Sequence, residues 1–129
     1  MELQVSSWTW FSRAKSTPLK RQAMEKVNIF LLIPKVLKSE QFLRIATGEN
    51  VEIERIVSRG HSSPGESWYD QARSEWVILL KGAARLEFDG GPVVELSAGD
   101  YVNIPARSRH RVAWTSPSEH CVWLAVHYQ

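Results

Sequence analysis

Residues 75–110 read EWVILLKGAARLEFDGGPVVELSAGDYVNIPARSRH. Trp76 to Leu80 is a continuous apolar run that ends at Gly82. Ala84, Leu86 and Phe88 then alternate with Arg85 and Glu87 up to Asp89-Gly90-Gly91. An alternating run closed by Asp-Gly signals a hairpin, because the central turn residues must accept positive φ. Val94 and Leu96 make the return strand and Ala98-Gly99-Asp100 a second turn. Tyr101 to Ile104 is a further strand, stopped by Pro105, which has no N–H to donate.

The same period extends outward in both directions. Val51, Ile53 and Val57 alternate with Glu52 and Glu54 on one side. On the other, His110 to Trp114 and Cys121 to Tyr128 are separated by the polar loop Ser116-Pro117-Ser118-Glu119. Short strands divided by regular turns predict an all-β antiparallel sandwich or barrel over about residues 51–128. Upstream, Ile29 to Ile33 is apolar and ends at Pro34. Ser39 followed by Glu40, Gln41, Phe42 and Leu43 predicts an N-cap and a short amphipathic helix, stopped at Gly48 and Asn50.

Residues 1–23 hold Trp8, Trp10, Phe11 and Pro18 without sustained periodicity. Three readings of this leader stay open: a disordered tail, an arm whose aromatics pack on a neighbouring subunit, or translation from a start upstream of the natural one. Residues 24–129 are expected to form one domain, a chain of 129 residues being long enough to bury a core without a structural metal or disulfide.

The net charge of +2 is unevenly spread. Four basic side chains face one acid in residues 1–23, and twelve Lys/Arg face thirteen Asp/Glu in the rest. A nucleic-acid binder needs a large basic stripe, so that class is excluded as an expectation. No apolar run approaches the roughly 18 residues of a membrane span. The single cysteine, Cys121, has no intramolecular partner, and the N-terminus has no secretory-type apolar stretch, which together predict a reducing, cytoplasmic setting.

The run Trp76 to Leu80 is apolar on both faces, Val77 and Leu79 on one and Trp76, Ile78 and Leu80 on the other. A strand of that kind needs a second covering layer, either the segment before residue 48 or another subunit. The expectation is a homodimer.

Two segments carry a family resemblance. Glu75 and Gly82 have the closing spacing of the first cupin motif, in which a histidine-any-histidine pair precedes the glutamate by three or four residues. Gly99, Pro105 and His110 fall at the intervals of the second. The region 51–128 therefore resembles a small single-domain cupin of the conserved-barrel type, which implies a jelly-roll β-barrel with a metal site in its lumen. The first metal motif is degenerate. Where the paired histidines would stand, the chain has Trp68 and Asp70, or Tyr69 and Gln71, depending on the spacing. Arg107 replaces the later glycine of the second motif and Trp114 its asparagine.

The resemblance carries metal ligation over to Glu75 and His110 alone, which leaves a metal short of protein ligands unless Asp70, Gln71 or Tyr69 contributes oxygen. One nitrogen with two carboxylates is harder than the two-histidine, one-carboxylate set of non-haem iron oxygenases, and zinc, manganese, nickel and iron all suit it. A lumen-facing His110 would bring Val112 and Trp114 inside and send Arg109 and Arg111 out. Together with Trp68 or Tyr69 this predicts an aromatic-lined small-molecule pocket, with Arg107 as an anion contact. His61, His120 and His127 lack motif support and are read as surface or structural groups. Two functions follow: a metal-binding cupin, as an enzyme acting on a small organic acid or sugar-like molecule, or a non-catalytic ligand-binding module that has lost the metal site.

Overall fold

The computed structural model describes residues 24–65 and 67–129. Eight strands follow one another: β1 (Gln41–Gly48), β2 (Val51–Ser58), β3 (Ser74–Lys81), β4 (Ala83–Phe88), β5 (Val93–Ser97), β6 (Tyr101–Ile104), β7 (His110–Thr115) and β8 (Cys121–Tyr128). They form a five-stranded sheet ordered β1-β2-β8-β3-β6 and a three-stranded sheet ordered β5-β4-β7, with every pairing antiparallel. This is the expected all-β jelly roll. Residues 1–23, and the three readings of them, lie outside the described residues. Among the described residues no helix is long and apolar enough to cross a membrane.

The helix expected after Ser39 is not formed: Gln41–Gly48 is a strand, and the barrel sheet begins ten residues before position 51. A helix of a few residues gains too few hydrogen bonds to repay its nucleation. The edge of β2 instead offers a complete ladder, from Gln41 opposite Val57 to Gly48 opposite Val51. Gly48, expected to stop a helix, is the last residue of β1, and Asn50 lies in the hairpin turn to β2.

Alternation puts Val77 and Leu79 of β3, Ala84 and Leu86 of β4, Val112 of β7, and Trp123 and Ala125 of β8 into one buried cluster between the sheets. Trp123 Nε1 donates to Ser58 Oγ at 3.1 Å, so its ring is buried without an unsatisfied N–H. On the outer face of β2, the buried Arg55 donates to the carbonyls of Ile29 and Leu31 at 2.9 and 2.6 Å and to Gln41 Oε1 at 2.7 Å. That clamp fixes the segment before β1 over β2. It leaves Trp76 on the outer face of β3 packed at 5.3 Å between ring centroids, tilted 38°, against Tyr101, which is 63% exposed.

Candidate functional site

The two sheets bring their chemistry together at one end of the lumen. Glu75 is the second residue of β3 and His110 the first of β7, and both are 1% exposed. They come from opposite sheets, yet His110 Nε2 lies 3.6 Å from Glu75 Oε1. Phe88 and Tyr69 pack around the imidazole, at 6.2 and 5.5 Å between ring centroids.

Residues 69–71 run beside the start of β7. Tyr69 N donates to the carbonyl of His110 at 2.7 Å, His110 N donates back to the carbonyl of Tyr69 at 3.1 Å, and Arg107 N donates to the carbonyl of Gln71 at 2.7 Å. Tyr69 is thereby directly opposite His110 and shares its face. Alternation then turns Tyr69 and Gln71 inward, where both are buried, and Trp68 and Asp70 outward. Gln71 Nε2 donates to Glu75 Oε1 at 3.2 Å. Of the two motif spacings, the one with three intervening residues describes this chain.

Three expected contributors therefore stand elsewhere. Asp70 does not join Glu75 and His110: it is ion-paired with Arg107 at 3.3 Å, its side chain 31% exposed. Trp68 is not in the lumen but lies under Arg109 and Arg111, each 5.9 Å from its ring centroid. Trp114 is also outside, with the Arg85 guanidinium 4.8 Å from its ring. The cause is a bulge: Leu86 pairs with Val112 and Arg85 with Trp114, so Ala113 is an extra residue that reverses the faces beyond it. Thr115 is the buried residue instead.

Arg107 stands where the motif has glycine and keeps a glycine-like backbone, φ 66°. An L residue pays about 1–2 kcal/mol for that conformation, while its ion pair with Asp70, exposed on both sides, is worth at most about 1 kcal/mol. Arg107→Gly is expected to be about 1 kcal/mol more stable than Arg107→Ala, measured by urea denaturation of the two variants. Equal stabilities would show that the backbone there is unstrained.

His110 Nδ1 lies 2.8 Å from the carbonyl oxygen of Ser108, which only accepts, so this nitrogen carries the proton. Nε2 then presents a lone pair toward the Glu75 carboxylate unless it too is protonated. Two electron-rich atoms facing each other in a dry interior call for a positive charge between them, a proton or a metal ion. Both His110 Nε2 and Glu75 Oε2 lack a hydrogen-bond partner. Burial alone would raise the Glu75 carboxyl, but the His110 imidazole 3.6 Å away, the nearby His127 and the Gln71 amide together hold it below its ordinary value of 4.5.

Two further groups, Glu54 and His127, were missed by sequence reasoning. Both point inward, Glu54 1% and His127 0% exposed, with His127 Nε2 3.0 Å from Glu54 Oε2. His127 is register partner to Glu75, and Glu54 reaches it diagonally from β2. The surface alternative for His127 is thereby ruled out. A signal was available: Trp123, Ala125 and His127 share one face of β8. Burial pushes the Glu54 carboxyl up, and its bond to His127 pulls it back only in part. Burial would lower the His127 imidazole, but the Glu54 hydrogen bond and the charges of Glu75 and Glu54 outweigh it and hold it above 6.5.

Next to this end of the lumen, a cleft of about 450 Å³ between residues 38–40 and 61–64 is floored by Tyr69. Burial keeps the Tyr69 phenol neutral, its pKa well above 10. Among the described residues no group of three His, Cys, Asp or Glu is arranged to hold a metal ion. The donors that fit one are Glu75 and His110, whose facing atoms are close enough to share an ion at ligand distances of about 2.0–2.2 Å, with the Gln71 amide beside them.

A family model described as a cupin domain matches residues 52–127. A solved structure from Ralstonia eutropha JMP134, provisionally named a mannose-6-phosphate isomerase, is 39% identical, with a TM-score of 0.79 over 81% of this chain and 98% of that one. A Cupin 2 conserved barrel domain protein from Salinispora arenicola CNS-205 is 26% identical, with a TM-score of 0.62 over 83% of this chain and 90% of that one. The polyketide cyclase RemF from Streptomyces resistomycificus, 18% identical with a TM-score of 0.64 over 81% of this chain and 79% of that one, shares the fold alone. No curated protein sequence matches the chain significantly.

Proposed function

The chain belongs to the cupin domain family, and from that premise we propose that it binds a divalent metal ion through Glu75 and His110 and holds a small organic molecule in the same lumen. The observation that carries this reading is the pair of buried atoms without partners, His110 Nε2 and Glu75 Oε2. Ser108 supports it by fixing the His110 tautomer through a backbone carbonyl, the outer-shell contact that a metal-ligating histidine ordinarily makes. Gln71 orients Glu75 by donating its amide N–H to the carboxylate, whereas Asp70 is engaged by Arg107. Tyr69 and Phe88 keep water from the imidazole. A bound zinc, manganese, nickel or iron ion would supply Lewis-acid polarisation of a ligand oxygen.

The ligand class is a small organic acid or sugar-like molecule, in keeping with the provisional name of the Ralstonia relative. Elemental analysis of tag-free protein tests the metal. One ion per chain is expected in the wild type, lost in His110→Ala and retained in His61→Ala; metal-free wild type, or metal that survives in His110→Ala, contradicts it. A second reading, a module that binds its ligand without metal, draws on the Gln71 hydrogen bond, which already occupies Glu75 Oε1.

The same proposal includes a homodimer through the outer face of β3, where Trp76 and Tyr101 pack against each other at the surface, and sedimentation at micromolar concentration tests it. A monomer there rejects the dimer. The free, buried Cys121 accords with a reducing, cytoplasmic location.

A further inference from the structure

The Glu54–His127 pair is not used by the metal reading, and it is as deeply buried as Glu75 and His110. Each partner spends one polar atom on the 3.0 Å bond between them and keeps one with no hydrogen-bond partner: Glu54 Oε1 and His127 Nδ1. Buried side-chain polar atoms seldom lack a partner, and such a loss is costly. Here two of them belong to one pair, on the lumen face of adjacent strands and directly beside Glu75.

We infer that Glu54 Oε1 and His127 Nδ1 are the contact points for a neutral, polyhydroxylated ligand in the lumen. The inference rests on the reading of this barrel as a small-molecule site and narrows it to one ligand class. A carboxylate oxygen only accepts, so Glu54 requires a donor. The imidazole Nδ1 donates or accepts according to its protonation. A hydroxyl does both, so neighbouring hydroxyls satisfy the two atoms in either state, whereas a carboxylate or phosphate offers Glu54 no proton.

Charge points the same way. Glu52, Glu54 and Glu75 all turn into the buried side of the five-stranded sheet. The nearby guanidinium groups of Arg44 and Arg73 are engaged by Glu52, at 3.1 and 3.2 Å. The cationic groups at this end, Arg44, Arg73 and His127, are each already paired with a carboxylate, so a phosphoryl group would be buried in a dry interior without a counter-charge, which is costly. The preferred ligand is therefore the free polyol or sugar rather than its phosphate ester, in contrast with the substrate in the provisional name of the Ralstonia relative.

Ligand-observed saturation-transfer NMR on the full chain tests this with D-mannose, D-fructose and glycerol as neutral probes and mannose 6-phosphate as the charged one. At least one neutral probe is expected to bind, and D-mannose to bind more tightly than its 6-phosphate. Removal of a hydrogen bond to a charged group weakens binding about tenfold, so that loss is expected in both Glu54→Gln and His127→Asn. Glu54→Gln is nearly isosteric, and its amide fingerprint spectrum verifies the fold. Metal analysis on the same samples separates the two proposals: polyol binding lost in Glu54→Gln supports this inference whether or not metal is present. Failure of all three neutral probes to bind folded wild type, tighter binding of mannose 6-phosphate, or wild-type affinity in both variants overturns it.

Discussion

Replacing His127 with alanine is expected to cost about 3–5 kcal/mol, because removal of one partner from a buried ion pair strands the other charge. For a chain of this length that corresponds to a fall in melting temperature of about 10–20 °C. Glu54, 1% exposed, would then face the interior with neither oxygen bonded. Glu54→Ala should cost a similar amount, while the double variant Glu54→Leu with His127→Leu should be less destabilised than either single change, since a buried pair replaced by apolar groups no longer has a charge to desolvate. Urea denaturation of the three variants measures this. Singles that each lose less than about 1 kcal/mol would show that the pair is solvated.

The pair also sets a pH dependence. Glu54 and His127 both hold their protons more firmly in the folded state than when free. The folded chain therefore binds more protons than the unfolded one on the alkaline side. The stability contributed by His127 is fully present below 6.5 and is lost as pH rises through its higher folded value. Glu75 has the opposite sign: its contribution is present above 4.5 and is lost as pH falls through its lower folded value. The stability maximum should accordingly fall on the mildly acidic side of neutrality, and His127→Asn should flatten the alkaline limb. A wild-type profile that rises steadily from pH 6 to 9 would reverse the assigned directions.

Gly82→Ala is the second large effect. Gly82 has φ +99°, and a Cβ there would lie 2.7 Å from Cys121 Sγ, 2.9 Å from Cys121 Cα and 3.0 Å from the carbonyl oxygen of His120. Two of these three contacts are backbone, so side-chain rotation relieves little. Strain of about 1–2 kcal/mol adds to overpacking of about 1–3 kcal/mol, an expected loss of roughly 3 kcal/mol. Gly99 is the control, with φ +97° and nothing within 4 Å of a built Cβ. Gly99→Ala should show the strain alone, and Cys121→Ala should rescue only the sulfur part of Gly82→Ala. Equal losses at Gly82 and Gly99 by urea denaturation would mean that β8 moves aside without cost.

This contact explains why the first motif closes on glycine, and it shows what residues 75–110 reveal. Their turns and alternation specify the strands because backbone chemistry is local: Gly, Pro and Asp-Gly act where they stand. The faces were harder to read. In β2 the pattern of Val51, Glu52, Ile53 and Glu54 shows that two sides differ, but a polar lumen reverses the usual assignment, and it is the glutamates that are buried. Trp114 was misplaced by a single bulge residue, Ala113, which leaves no mark in a sequence of apolar side chains. Ser39 to Leu43 carries a helix-start pattern that β2 overrides by offering a whole edge to pair with. Glu75 and His110 were legible through spacing to Gly82, Gly99 and Pro105. Their approach across the lumen, and the arrival of Glu54 and His127 beside them, depend on sheet order and register, which lie outside any local pattern.

The most direct test of the site at which Glu75 and His110 meet is the visible absorption of tag-free protein titrated with cobalt(II). One equivalent is expected to develop ligand-field bands that are absent in Glu75→Gln and in His110→Ala and preserved in His61→Ala. Bands of unchanged intensity in both lumen variants, or none in the wild type, would contradict a shared ion between this carboxylate and this imidazole.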